Sequence, residues 1–254
     1  MDNNNNEQIN ELISMLREVK KNGQLNELKF QIQTALTYLE HDEQKNTNDT
    51  IDFSVFKNIL AEDDIIILRK PQEIDRELFL TAEKENSHMR YMYEHEIFCK
   101  TMWEQHISDD SISYSIIRKD DNQYLGFCGI DNPNKSIDTA KEISIELLSQ
   151  YCHKGYGFRA LSLFLPQTAK LTGIKTFSSM VEINNTASQA LMEKLGFKPY
   201  RITKSRLHLE NDCPQEIDSR LIELAEKFYT EPTKLFGNVL EYRLSISNSQ
   251  EEKP

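Results

Sequence analysis

The sequence contains no apolar run long enough to cross a membrane, which takes roughly 20 residues in a helix. Its N-terminus (Met1 to Asn6) has neither the basic segment nor the apolar segment of a secretory signal. Its 4 cysteines are far apart and form no CxxC pair, standing at Cys99, Cys128, Cys152 and Cys213. Together these absences predict a soluble cytoplasmic protein whose thiols stay reduced.

Positive charge is in the minority, since 30 Lys and Arg stand against 41 Asp and Glu for a net charge of −11. This balance argues against a nucleic-acid-binding protein, and it agrees with either a cationic partner or a solvated acidic surface. Metal-ligand spacing is also missing, because His95 and Cys99 lie four apart with no further ligand beside them. We therefore expect no metal site.

The first fifty residues carry two helical patterns that the rest of the chain does not continue. Apolar residues recur there at intervals of three and four, first at Ile9, Leu12, Leu16 and Val19, then at Leu25, Leu28, Ile32, Ala35 and Leu39. We predict helices at 7–21 and 24–40, forming a helical hairpin within 1–45, and a polar linker at 41–50. Such a hairpin cannot bury both faces alone. It either covers the main domain or forms a homodimer with a second copy.

The remaining residues, 51–248, predict one domain of mixed α+β (α/β) class with an insertion at 205–236. We predict strands at 65–69, 111–118, 124–130, 142–148, 176–181, 197–203 and 239–246. We predict helices at 72–85, 89–107, 158–171, 187–195 and 217–228. The turn at 120–122 joins two of the strands as a hairpin, and Gly173 ends the third helix.

The most informative segment is the strand at 142–148 with the turn that follows it. Gly155 and Gly157 permit positive φ or close approach at a helix start, where exposed N–H groups and the helix dipole favour phosphate. Lys154 adds a positive charge. On the preceding strand Glu142 and Glu146 share one face. The combination predicts an enzyme that holds a phosphorylated carrier and does proton chemistry beside it.

These residues resemble the GNAT family of N-acetyltransferases. Tyr-Cys-His-Lys-Gly-Tyr-Gly at 151–157 is similar to the family's acyl-CoA pyrophosphate loop, Q/R-x-x-G-x-G/A. Asn-x-x-Ser at 185–188 with Glu-Lys-Leu-Gly-Phe at 193–197 resembles its second signature, and Lys-Glu-Ile at 141–143 resembles the opening of its fourth strand. The spacing from Glu142 to Gly155 is similar to the branch that includes the ribosomal-protein alanine acetyltransferases.

The resemblance implies a GNAT-like mixed, mostly antiparallel sheet that opens at the coenzyme A site and is flanked by helices. It implies transfer of an acetyl group from acetyl-CoA to a primary amine of a small molecule or a protein N-terminus. The pantetheine arm would follow the backbone of Glu146, Leu147 and Leu148. The pyrophosphate would bind the N–H groups of His153, Lys154, Gly155, Tyr156 and Gly157. Asn185 would contact the carrier or brace its loop.

Two positions depart from the family pattern. Cys152 stands where relatives carry Gln or Arg, and Met192 stands where many carry a tyrosine that protonates the leaving thiolate. Ser188, Tyr156 and solvent are the substitutes for that acid, although hydrogen bonding at the helix start also explains Ser188. Glu142 and Glu146 are equal candidates for the base that deprotonates the amine.

These departures leave a second hypothesis open, in which the chain is a non-catalytic GNAT-like module that binds acyl-CoA or a partner protein.

The resemblance also implies that the amide of Leu147 holds the oxyanion. The acceptor itself is not predicted by any motif. Tyr91, Tyr93 and Trp103 are candidates to line its site, and their helical spacing equally fits core packing.

Overall fold

The computed structural model describes residues 51–87, 90–131, 133, 140–204, 219–228 and 238–246. The hairpin predicted at 1–45 and the linker lie outside these ranges. Most of the predicted insertion lies outside them as well, except for 219–228. The division into a hairpin and a main domain with its insertion therefore stays a prediction.

The described residues contain eight strands in one sheet, ordered β1-β2-β3-β4-β5-β6-β8-β7. The strands are β1 (Ile59–Glu62), β2 (Ile66–Arg69), β3 (Ile112–Arg118), β4 (Tyr124–Ile130), β5 (Lys141–Leu147), β6 (Thr176–Glu182), β7 (Lys198–Lys204) and β8 (Asn238–Ser245). Neighbouring strands are antiparallel except β5 and β6, which run parallel. The predicted mixed, mostly antiparallel sheet is confirmed.

The described residues contain five α-helices: α1 (Arg76–Asn86), α2 (Glu96–His106), α3 (Tyr156–Thr172), α4 (Thr186–Lys194) and α5 (Ser219–Lys227). The five helices predicted after residue 51 are present, although 73–75 and 90–94 are 3₁₀ turns that precede α1 and α2. Helix α3 continues through Pro166 and ends at Gly173, whose φ of 74° is the left-handed end that glycine favours. None of the described helices has the length and apolarity needed to span a bilayer.

The sheet separates two apolar cores. The core between the sheet and α3, here called the α3-side core, includes Ile116, Cys128, Ile143 and Phe164. The opposite face packs on α1 and α2, and this α1-side core consists of Phe79, Ala82, Trp103, Ile117, Tyr124, Phe127 and Leu148. Alternate residues of a strand point to opposite faces, so each central strand supplies both cores.

A β-bulge in β4 changes which residues reach the α1-side core. Ile116 pairs with Gly126 while Ile117 pairs with Tyr124, so Leu125 is an extra residue opposite β3. Leu125 consequently lies in the α3-side core, and Tyr124 lies in the α1-side core beside Phe127. The bulge therefore places Tyr124 on the α1-side face, whereas strict alternation from Phe127 would place it on the α3-side face.

Helix α1 is fixed to the sheet by a buried carboxylate. Asp75 is 3% exposed, and its oxygens accept hydrogen bonds from Arg69 at 2.6 and 2.7 Å. It also accepts from the Gln72 N–H and the Ser115 hydroxyl, both at 2.9 Å. Burial alone would raise the pKa of Asp75, but these hydrogen bonds and the Arg69 charge lower it overall.

We expect Asp75→Asn to lower the free energy of unfolding by about 3 kcal/mol, because it removes one partner of a buried ion pair. Asp121→Asn is the matched control, since Asp121 pairs with Arg118 at 44% side-chain exposure, where water screens the pair and its loss should change stability little. Urea unfolding at neutral pH measures both. The advantage of the wild type exists above the ordinary aspartate pKa of 3.8 and is lost as pH falls through the lowered value. Equal losses in the two variants would contradict the anchoring role.

Candidate active site

Strands β5 and β6 separate after two residue pairs, Lys141 with Phe177 and Glu142 with Ser178. On its other edge β5 stays paired with β4 as far as Leu147. We call the opening between the rest of β5 and β6 the β5–β6 gap. Because it interrupts the hydrogen bonding along one edge of β5, the backbone there is available to a ligand.

Backbone direction decides which residues of β5 face this gap. The N–H of Leu148 donates to Leu125 on the β4 side at 3.0 Å. Since N–H groups alternate between the two edges of a strand, the N–H of Leu147 points into the β5–β6 gap and that of Glu146 points to β4. Of the three residues predicted to lie along the carrier, Glu146, Leu147 and Leu148, it is Leu147 whose N–H faces the gap. The N–H of Leu148 is already bonded.

A turn at 152–157 follows β5 and leads into α3. Gly155 caps α3 with a φ of 84°, and His153 has a φ of 58° although it is not glycine. The first backbone bond into α3 is donated by Arg159 to Gly155 at 3.1 Å. Within the described residues, none of the backbone N–H groups of 153–157 donates a hydrogen bond. The predicted set of N–H donors thus lies together at one helix start, where the dipole favours an anion.

Gly157 keeps this helix start close to the β5–β6 gap. A Cβ atom at Gly157 would lie 3.3 Å from Leu191 Cδ2 and 3.5 Å from Ile145 Cδ1. The start of α3 therefore packs closely against side chains of both β5 and α4, and a larger side chain at Gly157 would have to displace them.

Two cationic side chains lie beside the turn, although Cys152 itself stands where relatives carry Gln or Arg. The Arg118 guanidinium and the Lys154 ammonium lie 5.5 and 5.8 Å from the centre of the Tyr151 ring. Arg118 also donates to the Tyr156 hydroxyl at 3.4 Å. Burial and the charge of Glu85 raise the pKa of the Cys152 thiol, which argues against a thiolate nucleophile.

Glu146 projects from β5 toward α1 rather than toward α3. It pairs with Phe127, a residue of the α1-side core, and paired residues share a face. Its Oε2 atom is buried and has no hydrogen-bond partner in the part of the chain that the structure describes. Burial, followed by the charges of Glu83 and Asp131, raises the pKa of Glu146 well above 4.5. This side chain therefore has the raised proton affinity expected of a general base.

Glu83 of α1 is the partner that sequence reasoning missed. Its Oε2 accepts a hydrogen bond from the Tyr93 hydroxyl at 2.6 Å. Burial raises the pKa of Glu83, while the Tyr93 hydrogen bond opposes that shift. A sequence signal existed, since Glu83 lies four residues after the buried Phe79 and next to the buried Ala82, on the inward face of α1.

Glu142 shares the face of Glu146 but lies at a different place. It is paired with Ser178, before β5 and β6 separate. Four residues of extended chain place it about 13 Å from Glu146 along the strand. The structure thus separates two glutamates that the sequence treats as equivalent, and it places Glu146 at the β5–β6 gap.

The end of α1 is tied to the end of β5. Asn86 donates to the Leu147 carbonyl at 3.2 Å, and Glu85 accepts from the N–H and the hydroxyl of Ser149 at 2.7 and 2.9 Å. These bonds hold the helix that carries Glu83 against the strand that carries Glu146. Asn86 and Glu85 belong to no motif, so these bonds could not be predicted from the sequence.

Helix α4 begins with a cap and turns its Met192 inward. Asn185 accepts a hydrogen bond from the Ser188 N–H at 3.0 Å, which caps the helix. Met192 is 2% exposed and belongs to the α3-side core. Gln189 braces the loop before the helix by donating to the carbonyls of Glu182 and Ile183. Among the described residues, no three His, Cys, Asp or Glu side chains group as metal ligands.

A sheet that opens beside one strand, next to a helix start lined with unbonded N–H groups, offers free strand backbone and an anion-binding helix start to one phosphorylated ligand. The acetyltransferase (GNAT) domain family matches residues 66–198, more than half of the 254-residue chain. The chain therefore belongs to the GNAT acetyltransferase family and is an acetyl-CoA-dependent acyltransferase. No curated protein matches it at the level of sequence.

Several solved structures share this fold at low sequence identity. A ribosomal L7/L12 alpha-N-protein acetyltransferase in complex with coenzyme A is 16% identical, with a TM-score of 0.54 over 74% of this chain and 98% of that one. A GNAT-family acetyltransferase from Bacillus anthracis is 16% identical, with a TM-score of 0.52 over 72% and 96% of the two chains. A ribosomal-protein-S5-alanine acetyltransferase from Vibrio fischeri is 14% identical, with a TM-score of 0.50 over 76% and 98%. At such identities the likeness shows the fold alone.

We expect Glu146→Gln to stabilise the protein at neutral pH. The folded state raises the pKa of Glu146 above its ordinary 4.5, so its contribution to stability falls as pH rises from 4.5 through the folded value. The difference in unfolding free energy between variant and wild type should therefore grow between pH 5 and 8, as urea unfolding measures. Glu77→Gln, at an 82% exposed side chain of α1, is the control and should show no such growth. A difference independent of pH would refute the raised pKa.

Proposed function

We propose that the protein is an N-acetyltransferase in which an acetyl group moves directly from acetyl-CoA to a primary amine, with Glu146 as the base. The observation that carries this proposal is the place of Glu146. Glu146 lies at the β5–β6 gap, and its buried Oε2 atom has no hydrogen-bond partner among the described residues. The turn at 152–157 comes shortly after the end of the same strand. A small-molecule amine and a protein N-terminus are both suitable acceptors.

The carrier would be held mostly by backbone groups. The N–H groups of His153 to Gly157 would bind its pyrophosphate, helped by the α3 dipole and by the cations Arg118 and Lys154. The N–H of Leu147 faces the β5–β6 gap and would bind the pantetheine arm or polarise the thioester carbonyl. Backbone donors compensate for Cys152, since most of the phosphate contacts need no side chain.

The amine must lose a proton before its nitrogen can attack the thioester carbonyl. A carboxylate whose pKa is raised toward neutrality takes such a proton more readily than an exposed glutamate. Glu142 is the second candidate base, but it lies where β5 and β6 are still paired. The buried Met192 donates no proton, so the thiolate, whose ordinary pKa is about 8.5, takes its proton from Ser188, Tyr156 or water.

The cell compartment and the assembly complete the proposal. Cys99, Cys128 and Cys152 are free thiols, which agrees with a reducing cytoplasm. A homodimer through the N-terminal hairpin remains our proposal for residues 1–45.

We expect Glu146→Gln to lower kcat by about 100-fold or more, because general-base catalysis contributes at least that factor. Glu142→Gln should leave kcat nearly unchanged. A thiol-release assay with acetyl-CoA and a panel of amines and N-terminal peptides measures both. Calorimetry should give the same acetyl-CoA affinity for the three proteins. Loss of turnover in Glu142→Gln alone would move the base to that residue. Binding without turnover on any acceptor would favour the non-catalytic alternative.

We expect Gly155→Ala to weaken acetyl-CoA binding at least fivefold, which corresponds to about 1 kcal/mol. Alanine at a φ of 84° is strained and would shift the N–H groups of the turn. Gly173→Ala is a matched control, because its φ is 74° and a Cβ at either glycine meets nothing within 4 Å. Both variants should lose similar stability in thermal unfolding. Equal acetyl-CoA affinity in both, measured by calorimetry, would show that the turn does not hold the carrier.

A further inference from the structure

The carboxyl groups of Glu83 and Glu146 come from two elements that are tied together, since Asn86 at the end of α1 donates to the Leu147 carbonyl at the end of β5. The charge of Glu83 raises the pKa of Glu146. One oxygen of Glu83 accepts the Tyr93 hydroxyl, while Oε2 of Glu146 has no hydrogen-bond partner among the described residues. Two like charges brought together at a desolvated place raise the free energy of the empty site. A bound cation would lower it.

Tyr124 supplies an independent indication that a ligand binds here. It is 3% exposed, and its buried hydroxyl has no hydrogen-bond partner within the described ranges. The β4 bulge places Tyr124 on the face of Phe127 and Glu146. Burial, and after it the charges of Asp75, Glu83 and Glu146, raise the pKa of Tyr124. An unpartnered buried hydroxyl is uncommon, and a bound polar group explains it.

We propose that Glu83, Glu146 and Tyr124 form the receptor for the primary ammonium group of the acceptor. This inference rests on the proposed function and names the acceptor's charge and hydrogen-bonding pattern. A primary ammonium has three N–H donors. The site offers an oxygen of Glu146, a carboxylate oxygen of Glu83 and the Tyr124 oxygen as acceptors. Glu83 anchors the cation, and Tyr93 positions Glu83.

The acceptor nitrogen loses two protons during the reaction at this receptor. The bound ammonium gives one proton to the Glu146 carboxylate, and the freed nitrogen forms a bond to the thioester carbonyl carbon. The carbon–sulfur bond then breaks while the nitrogen loses its second proton. Of these two protons, one leaves on the thiol of coenzyme A and the other is released to water. The products are the acetylated amine, coenzyme A and one proton.

The charges around the receptor explain why Glu83 and Glu146 divide these roles. Glu146 faces Glu83 from α1 and Asp131 from the end of β4, both of which raise its pKa. Tyr93 and Tyr124 are the neutral neighbours that complete the set. Because Glu83 accepts the Tyr93 hydrogen bond and Glu146 accepts none in the described structure, Glu83 keeps its charge more readily. The cation is thus held by Glu83 while Glu146 exchanges the proton.

Methylammonium is the probe, because it carries the three donors without a particular acceptor's side chain. Carbon-13 NMR of protein labelled at its glutamate carboxyl groups follows the titration of Glu146, whose signal is the one that disappears in Glu146→Gln. We expect methylammonium to lower the midpoint pH of this titration by on the order of one unit relative to the same concentration of tetramethylammonium, which has no N–H donor. Glu83→Gln should abolish the difference and Glu77→Gln should keep it. Tyr124→Phe, which removes only an unpartnered hydroxyl, should reduce the difference without loss of folding.

Turnover separates this inference from the proposed function. Glu83→Gln should raise KM for benzylamine about tenfold and leave KM for acetyl-CoA unchanged, since one charge-assisted hydrogen bond contributes about 1.4 kcal/mol or more. Equal midpoints with methylammonium and tetramethylammonium, in a wild type that acetylates amines, would overturn the receptor and leave the proposed function intact. A methylammonium-specific shift without turnover of any amine would support the receptor and overturn the proposed function.

Discussion

The constraint on which the site depends is that β5 is hydrogen-bonded along one edge and at only two residues along the other. Full pairing with β4 fixes the strand in place, while the loss of pairing with β6 beyond Glu142 exposes the N–H of Leu147. A strand free on both edges would not hold its position, and a strand paired on both would offer nothing to a ligand. The turn at 152–157 adds a second set of unbonded N–H groups immediately afterwards.

Strand β5 also carries Glu146 and places its side chain on the opposite face of the sheet from α3. Leu147 faces α3 and the carrier side, whereas Glu146 faces the α1-side core, where desolvation raises its proton affinity. Helix α1 closes this environment and is anchored twice, at its start by Asp75 with Arg69 and Ser115, and at its end by Asn86 with Leu147. The Asp75 carboxylate at the start of α1 accepts several hydrogen bonds, whereas the buried Oε2 of Glu146 near the end of α1 accepts none among the described residues. Attachment of α1 at both ends holds this unsatisfied group in place.

The local parts of the site could be predicted from the sequence because they depend on neighbours along the chain. Gly155, the capping Asn185 and the alternation of β5 all act over a few residues, and the element order followed from periodicity. The choice between Glu142 and Glu146 could not be made, since it depends on where β6 stops pairing with β5. Glu83 was missed because 63 residues separate it from Glu146 in the sequence. The short β1 and the insertion of β8 between β6 and β7 likewise depend on contacts that no local pattern records.

The bulge at Leu125 has a consequence for how this protein tolerates insertions and deletions. Because one surplus residue shifts β4 by a single step against β3, Tyr124 and Phe127 reach the same face across an uneven interval. Deleting Leu125 would remove the bulge and leave Tyr124 two positions before Phe127, so regular alternation would keep both side chains on the same face. A homologue lacking that one residue would therefore keep the fold and the place of Tyr124, and would lose only the Leu125 side chain from the α3-side core.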